Sequence, residues 1–316
     1  MATNDQLYGS TKGPSSSGQA APGQGFVPDF AYTLGWQAKE PPSYPIVSGT
    51  VEGDIMGCFT PEALPVLSAL AQGYAVCDQW FSSVPTETLP NRAFACAATS
   101  QAAAAAGTLP PFTFLEPDWS STGNSQHPNY DVALGEQLIH DVYEVLRAGP
   151  GWPGTLLVIT YDEHGGCYDH VPPPWGATPP DNDTGEFSFG FDRFGVRVPT
   201  VLVSPLIAPG TVYRVPAGGT PLDHTSILRT VEQCWNLPTL TARDAAAPAF
   251  GDVLTLTAPR TDDVLASVAV PVASGPGPAA GTVSHLEAVK ADLVARRYPA
   301  GVSAANPAGP APHVPS

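Results

Sequence analysis

The sequence has few charged side chains and no long apolar run, and each shortage excludes a class of protein. Charged residues make up 13% of the 316 positions, and acids outnumber bases 29 to 13, which gives a formal net charge of −16. This negative field repels nucleic acid and anionic lipid headgroups at long range, so we expect no nucleic-acid partner. No apolar run is long enough to cross a bilayer, so we expect no transmembrane segment.

Cysteine is also scarce. The five cysteines are an odd number, and they form neither a CxxC pair nor a zinc-finger spacing. This pattern argues against a disulfide framework and against a structural zinc site. The first residues, MATNDQLYGS, lack the basic start and apolar stretch of a signal peptide. From the chain as written we therefore expect a cytoplasmic protein.

Composition divides the chain into three parts. Residues 8–26 are rich in Gly, Ser and Pro, and residues 299–316 are mostly Ala and Pro. Neither segment has enough apolar side chains to offset the entropy lost on ordering. We therefore expect a largely disordered or irregular N-terminal segment over residues 1–50, one folded domain over residues 51–298, and a disordered tail over residues 299–316.

Within the middle part, helical and strand-like patterns alternate. Residues 131–147 repeat leucine and valine at helical spacing, and shorter helices are expected after Thr60–Pro61 and after Asp223. The runs TLLVIT (155–160) and VPTVLVSP (198–205) are apolar almost throughout, as in strands covered on both faces. We therefore predict a three-layer α/β/α fold with a mostly parallel central sheet.

The stretch TYDEHGGCYDHVPPP (160–174) concentrates acids and histidines directly after the first of these strands. Successive side chains of a strand point to opposite faces, so Asp162 and Glu163 can serve one ion only if the chain bends, and Gly165 and Gly166 permit a bend. Two carboxylates beside histidines suit a divalent cation or an acid–base pair. A solvated turn after the strand is the alternative interpretation.

A second stretch, CDQWFSSVPTETLPNRAF (77–94), carries several hydroxyl groups followed by Asn91 and Arg92. A hydroxyl becomes a competent nucleophile when a base or a metal ion lowers its pKa, and an arginine can hold a phosphoryl group with two hydrogen bonds. An ordinary Ser/Thr/Pro loop is the alternative. His127 and His224 lie in the separate segments NSQHPNY and LDHTS, beside predicted element ends.

These stretches carry a resemblance. TLLVITYDEHGGCYDHVPPP, AVCDQWFSSVPTETLPNRAFACAATS, RVPTVLVSPLI and DHTSILRTVEQCWNLPTLTARDAA together resemble the bacterial phosphoesterase family of phospholipases C and acid phosphatases. That family is similar in fold to the alkaline phosphatase superfamily. The resemblance implies an alkaline-phosphatase-like phosphoesterase domain over residues 51–298, acting on a phosphate ester substrate, with phospholipid among the candidates.

The resemblance also implies roles for individual residues. Thr88, the hydroxyl residue before the PNR motif, matches the nucleophile, which also binds the metal ion in that family. Asp162 and Glu163 match further ligands of a divalent metal ion. The motif histidines, which in the family assist phosphoryl binding or protonate the leaving group, match His127, His164, His170 and His224, and Asn91 and Arg92 are expected to bind substrate.

The sequence departs from the family pattern at two places. Family members begin with a strand that ends in a Glu-Asn pair, within a motif like ENRSFDHYFG, and we find no such segment before Met56. They also carry a longer insert between the ATS motif and the FxEP motif, where this chain has SQAAAAAGTLPP before FTFLEP. We therefore expect a shortened member in which metal binding is impaired.

These observations predict metal-assisted hydrolysis of phosphoric esters through a threonine nucleophile. The main rival is a catalytically inactive protein of the same scaffold that acts as a binding module. A third interpretation is an interaction protein that uses its Pro-rich ends.

Overall fold

The computed structural model describes residues 2–37, 46–86, 88–93, 110–119, 123–128, 130–185 and 188–273. The helices in these residues are α1 (Ala2–Tyr8), α2 (Phe26–Gln37), α3 (Pro65–Gly73), α4 (Thr88–Ala93), α5 (Val132–Ala148), α6 (Thr225–Trp235) and α7 (Ala242–Ala246). The strands are β1 (Ala75–Cys77), β2 (Leu157–Thr160), β3 (Thr200–Val203) and β4 (Thr211–Tyr213). No helix of the described ranges is both long and apolar enough to cross a membrane.

The four strands form one mixed sheet in the order β2-β3-β1-β4. β3 runs antiparallel to both of its neighbours, β2 and β1, and only β1 and β4 are parallel. The α/β class is thus confirmed, but the expectation of a mostly parallel sheet is wrong for the described strands. A continuous apolar run indicates that both faces of a strand are buried, as is true of β3. It does not indicate whether the strand runs parallel or antiparallel to its neighbours.

The connection between β2 and β3 explains this difference. A parallel pair needs a crossover, usually through a helix, whereas an antiparallel pair does not. The described residues between 161 and 199 contain no α-helix. The chain instead leaves the sheet at the acidic stretch, forms a long irregular excursion and returns beside the strand that it left.

Helix starts follow from local chemistry. The Asp131 side chain accepts a hydrogen bond from the Ala133 N–H and caps α5, as the pattern predicts. The helix expected from Thr60 begins later, at Pro65, because a residue before proline is kept out of the helical conformation. Leu64 accordingly has φ −123° and ψ 64°, and Thr60–Leu64 forms a separate turn.

The main core lies between the sheet and helices α3 and α5. Leu70, Tyr143 and Leu202 are fully buried there. Glu136 of α5 is also fully buried, and its carboxylate accepts the backbone N–H groups of Val66 and Leu67 at the start of α3. Burial raises the pKa of Glu136 despite these bonds. The core therefore satisfies the free N–H groups of α3 with a carboxylate from another helix.

The N-terminal segment differs from the expectation of an irregular or disordered stretch. Helices α1 and α2 lie within residues 2–37, and Leu7 and Phe26 are buried in a second apolar cluster with Val196. Gly23 and Gly25 donate backbone hydrogen bonds to the Leu7 and Gln6 carbonyls at 2.9 and 3.0 Å. Glycine-rich composition here serves a close backbone approach rather than disorder. The predicted tail, residues 299–316, lies outside the described residues.

Candidate functional site

The acidic stretch follows β2 and turns away from the sheet at two glycines. Gly165 and Gly166 have φ values of 61° and 77°, a region that glycine adopts without strain. The Cys167 N–H donates to the His164 carbonyl at 2.9 Å and closes this turn. The predicted bend after Asp162 and Glu163 is confirmed.

Asp162 is bound to an arginine from a distant part of the chain. Arg92 Nε donates to Asp162 Oδ2 at 2.7 Å, while Asp162 Oδ1 accepts the Glu163 N–H at 3.1 Å. The same guanidinium forms an ion pair with Glu116 and lies 4.3 Å from the centre of the Trp119 ring. Arg92 therefore ties α4 to the carboxyl end of β2.

Thr88 is the first residue of α4 and is buried. It lies one helical turn before Arg92, so the two side chains project from the same side of the helix. The ion pair of Arg92 with Asp162 joins the last turn of α4 to the acidic stretch, and Thr88 lies at the other end of this six-residue helix.

Asn91 binds the loop that precedes α4. Its Oδ1 accepts the Val84 N–H, and its Nδ2 donates to the carbonyls of Val84 and Thr86, each at 3.1 Å. The residue is fully buried. These contacts give Asn91 a role in shaping the loop, whereas the sequence pattern assigned it to substrate.

Glu163 lies in a chain of polar contacts that ends in the N-terminal segment. Its Oε2 accepts the Gly165 N–H at 2.7 Å and lies 3.3 Å from His164 Nδ1. His164 Nε2 in turn lies 2.8 Å from Gln6 Oε1. Burial raises the pKa of Glu163, but the His164 hydrogen bond and charge, the Gly165 N–H and the charge of His127 outweigh it and leave the pKa below its usual value.

His224 is buried behind Asp162. Trp80 Nε1 can only donate, so His224 Nδ1 accepts its hydrogen bond at 3.3 Å, and Nε2 carries the proton directed at the Asp162 carbonyl, 2.8 Å away. Burial lowers the pKa of His224. The hydrogen bond to the Asp162 carbonyl and the negative charges of Asp223 and Asp162 raise it, but by less, so the pKa lies below its usual value. A neutral imidazole of fixed tautomer therefore supports the backbone of Asp162.

The two remaining histidines differ in their surroundings. The His170 side chain is 78% exposed and lies 3.6 Å from Asp169, which Arg197 holds with two hydrogen bonds of 2.7 Å. His127 is partly buried, its backbone N–H donates to Ser125 Oγ at 3.1 Å, and its charge acts on Glu163. The structure thus leaves His170 at the surface, while the charge of His127 contributes to the lowered pKa of Glu163.

The residues that orient His164, His224 and Asp169 were not among the predicted site residues. Gln6 and Asp29 belong to no quoted motif, and each of these partners meets its contact across a separation of more than twenty residues. Trp80 and Arg197 do stand in the quoted stretches CDQWFSSVPTETLPNRAF and RVPTVLVSPLI, but no role was predicted for them.

The implied divalent metal ion does not fit the acidic pair as it is arranged here. Asp162 is compensated by Arg92 and Glu163 faces His164, so an ion would have to displace a protein cation. In the part of the chain that the structure describes, no group of three or more His, Cys, Asp or Glu side chains is placed to hold a metal ion. Hard divalent cations take six or more oxygen ligands, of which this pair offers a minority.

The sequence is similar to a known protein family and to several named proteins. The model of the phosphoesterase family matches residues 31–108 and 101–238. Non-specific phospholipase C6 of Arabidopsis thaliana is 38% identical over 290 residues, covering 68% of this chain and 56% of that protein. Non-specific phospholipase C3 of the same plant is 36% identical over 291 residues, covering 69% and 56%. Non-hemolytic phospholipase C of Burkholderia pseudomallei (strain K96243) is 31% identical over 144 residues, covering 41% and 19%.

The chain spans about half the length of the first of these curated relatives. The alignment with phospholipase C6 is 290 positions long, but it includes only 68% of the 316 residues of this chain, which is fewer than 290 residues. The plant protein therefore has residues within the aligned region that this chain lacks, which agrees with the short stretch between the ATS and FxEP motifs.

Proposed function

Because the chain belongs to the phosphoesterase family, we propose that it hydrolyses phosphoric esters, with phospholipids as the candidate substrates. The observation that carries this proposal is the contact of Arg92 with Asp162 at 2.7 Å. It joins the helix that begins with Thr88 to the acidic stretch, which supports a shared site for the nucleophile, the arginine and the acids of the two motifs. The names of the phospholipase C relatives support the choice of substrate class.

Thr88 is the proposed nucleophile. Its hydroxyl oxygen attacks phosphorus in line and releases its proton to water, while the bond from phosphorus to the leaving oxygen breaks and that oxygen takes up a proton and departs as an alcohol. A water molecule then attacks the phosphothreonine, which restores the threonine hydroxyl and releases the phosphate product. Each step exchanges one phosphorus–oxygen bond for another, so no oxidant or reductant is needed.

Arg92 is the proposed phosphoryl ligand. A guanidinium can donate two parallel hydrogen bonds to a phosphoryl group, and such charge-assisted bonds are stronger than neutral ones. Arg92 already holds two carboxylates, and Glu116 is the more exposed of these, at 41%. We propose that substrate oxygens replace Glu116, because an exposed ion pair contributes about 1 kcal/mol at most.

His127 is the proposed proton donor to the leaving group. His224 is fully buried with both ring nitrogens bonded, His164 has one nitrogen at Glu163 and the other at Gln6, and His170 points to solvent. The resemblance matches His127 to a motif histidine of the family, and its charge contributes to the lowered pKa of Glu163. This match supports His127 as the proton donor.

The divalent ion stays a prediction, with Asp162, Glu163 and Thr88 as its implied ligands. Since the acids are compensated by protein cations, we derive no step through an ion. The same contacts favour the rival function, a phosphoryl-binding protein without turnover, because an arginine that already neutralises the acids can bind phosphate without completing catalysis.

The test compares variants at Thr88 on p-nitrophenyl phosphate and p-nitrophenylphosphorylcholine. Thr88→Val keeps the shape and removes the hydroxyl, so we expect turnover to fall by roughly 1,000-fold or more, whereas Thr88→Ser retains a nucleophile and most of the activity. Thr86→Val is the matched control and should leave turnover unchanged. Full activity in Thr88→Val, or equal losses in both valine variants, would remove Thr88 from the mechanism; phosphate binding without turnover in the parent would establish the rival.

A further inference from the structure

A buried glutamine of the N-terminal segment makes a polar contact with the acidic stretch. Gln6 of α1 is 6% exposed, and its amide has two partners. Gln6 Nε2 donates to Asp29 Oδ2 at 2.8 Å, and Gln6 Oε1 lies 2.8 Å from His164 Nε2. Gln6 and Asp29 both precede residue 31, where the family match begins.

The orientation of the Gln6 amide follows from the chemistry of its partners. A carboxylate accepts hydrogen bonds and does not donate them, so the NH₂ group of Gln6 must face Asp29. Its oxygen therefore faces the imidazole and accepts a hydrogen bond, which places a proton on His164 Nε2. The other ring nitrogen, Nδ1, lies 3.3 Å from Glu163 Oε2, and it can donate to this carboxylate oxygen when the ring carries a second proton.

The backbone around Gln6 is fixed as well. The Gly25 N–H donates to the Gln6 carbonyl at 3.0 Å, and a Cβ added at Gly25 would lie 1.8 Å from the Asp5 carbonyl oxygen. The Phe26 ring meets the His164 ring edge to face, with centroids 6.1 Å apart. The imidazole thus contacts an amide through Nε2 and an aromatic ring in a perpendicular arrangement.

We propose that Gln6 is a positioning residue for the acidic pair: it fixes the ring of His164, and the ring in turn fixes the carboxylate of Glu163. Asp29 acts on the same chain of contacts by orienting Gln6. The role deepens the proposed function of this site and depends on that function only where turnover is measured.

The first readout is the His164 ring itself, observed by ¹H–¹⁵N correlation in the full chain labelled with ring-¹⁵N histidine and assigned with a His164→Gln variant. We expect a proton held on Nε2 in the parent. Gln6→Met keeps the length of the side chain but removes its acceptor, and Asp29→Ala leaves the Gln6 amide unoriented. Both changes should abolish the fixed Nε2 proton signal.

Two variants serve as controls. Asp29→Asn offers an amide oxygen to Gln6 Nε2, so the parent spectrum should return. Gln19→Met makes the same chemical change in the same segment, at a side chain that contacts Ser15 instead of His164, and should leave the ring unaffected. Thermal denaturation of each variant separates loss of the fold from loss of the contact, and Asp29→Ala supplies the test if Gln6→Met does not fold.

The second readout is turnover on p-nitrophenyl phosphate. We expect kcat to fall by roughly 10-fold or more in Gln6→Met with KM little changed, because misplacement of a catalytic group by 1 Å can cost about 100-fold. A parent without turnover would count against the proposed function, while the ring spectra would still decide the role of Gln6. An unchanged His164 spectrum in both Gln6→Met and Asp29→Ala would overturn the inference.

Discussion

The ion pair between Asp169 and Arg197 should contribute measurably to folding stability. Arg197 Nε and Nη2 each donate to one Asp169 oxygen at 2.7 Å, and Nη1 donates to the Asp78 carbonyl at 2.9 Å. Asp169 belongs to the irregular excursion after β2, and Arg197 lies just before β3. The pair therefore fastens the excursion that carries the acidic stretch to the start of a buried strand.

The expected cost of Asp169→Asn lies between two known limits. Exposed ion pairs contribute about 0 to 1 kcal/mol, and breaking a buried pair costs about 3 to 5 kcal/mol. The side chains of Arg197 and Asp169 are 23% and 13% exposed, so the pair falls between these cases. Asparagine keeps one acceptor oxygen but loses the charge and the second bond, and we expect a loss of about 2 kcal/mol in the free energy of unfolding.

The difference between parent and variant should depend on pH. Burial raises the pKa of Asp169. The hydrogen bonds and charge of Arg197, the Val171 N–H and the charge of His170 lower it by more, so the pKa in the folded protein lies below the ordinary value of 3.8. An acid with a lowered pKa stabilises the fold above its unfolded pKa and loses this contribution as pH falls. The difference should therefore be constant at neutral pH and shrink below about pH 4.

A double-mutant cycle measures the coupling energy of the pair. It requires urea denaturation of four proteins, namely the parent, Asp169→Asn, Arg197→Gln and the double variant. Asp262→Asn is the matched control, because Arg260 also holds Asp262 but the latter is 54% exposed, and its loss should cost less than about 1 kcal/mol. Equal losses at Asp169 and Asp262, or a coupling energy near zero, would refute the reasoning, as would a difference that grows on acidification.

Two further predictions concern the acidic pair and the N-terminal segment. Arg92→Met frees the carboxylate of Asp162, so isothermal titration calorimetry should show tighter binding of Mn²⁺ than in the parent. The control Arg214→Met removes an exposed ion pair with Asp78 and should not change the Mn²⁺ affinity. Unchanged affinity in Arg92→Met would show that Arg92 does not compete with an ion. Gly25→Ala forces a carbon against the Asp5 carbonyl and should lower the midpoint of thermal denaturation by several degrees, and an unchanged midpoint would contradict the close approach.

Local features of the fold were predictable from the sequence, and pairing across the chain was not. Asp131 and the apolar repeat after it define α5 to within a residue, because a helix is built from contacts three and four positions apart. The direction of β3 depends instead on how the chain returns from residues 161–199, and no short pattern reports that path. Residues 9–25 contain no helix or strand, but composition did not show that Ala21 and Phe26 pack in one apolar cluster with Val196.

The candidate site follows the same rule. Asp162, Glu163, Thr88 and Arg92 stand in motifs, and the structure brings their two stretches together through the pair of Arg92 and Asp162. The assignment of Asn91 to substrate rested on its place beside Arg92, but its side chain completes backbone hydrogen bonds of its own loop. Gln6 could not be inferred, since an isolated glutamine on a short helix resembles many solvated side chains.

The docking of α1 has a consequence for how the chain folds as it is synthesised. Gln6 and Leu7 are synthesised before their partners His164 and Val196, which follow roughly 160 to 190 residues later. At about 5 to 20 residues per second this interval is on the order of 10 to 40 seconds. A helix of seven residues is marginal alone in water, so during that time its apolar face has no partner and is available to chaperones. Helix α1 is thus among the last parts of the described chain to reach its native contacts, although it is made long before its partners.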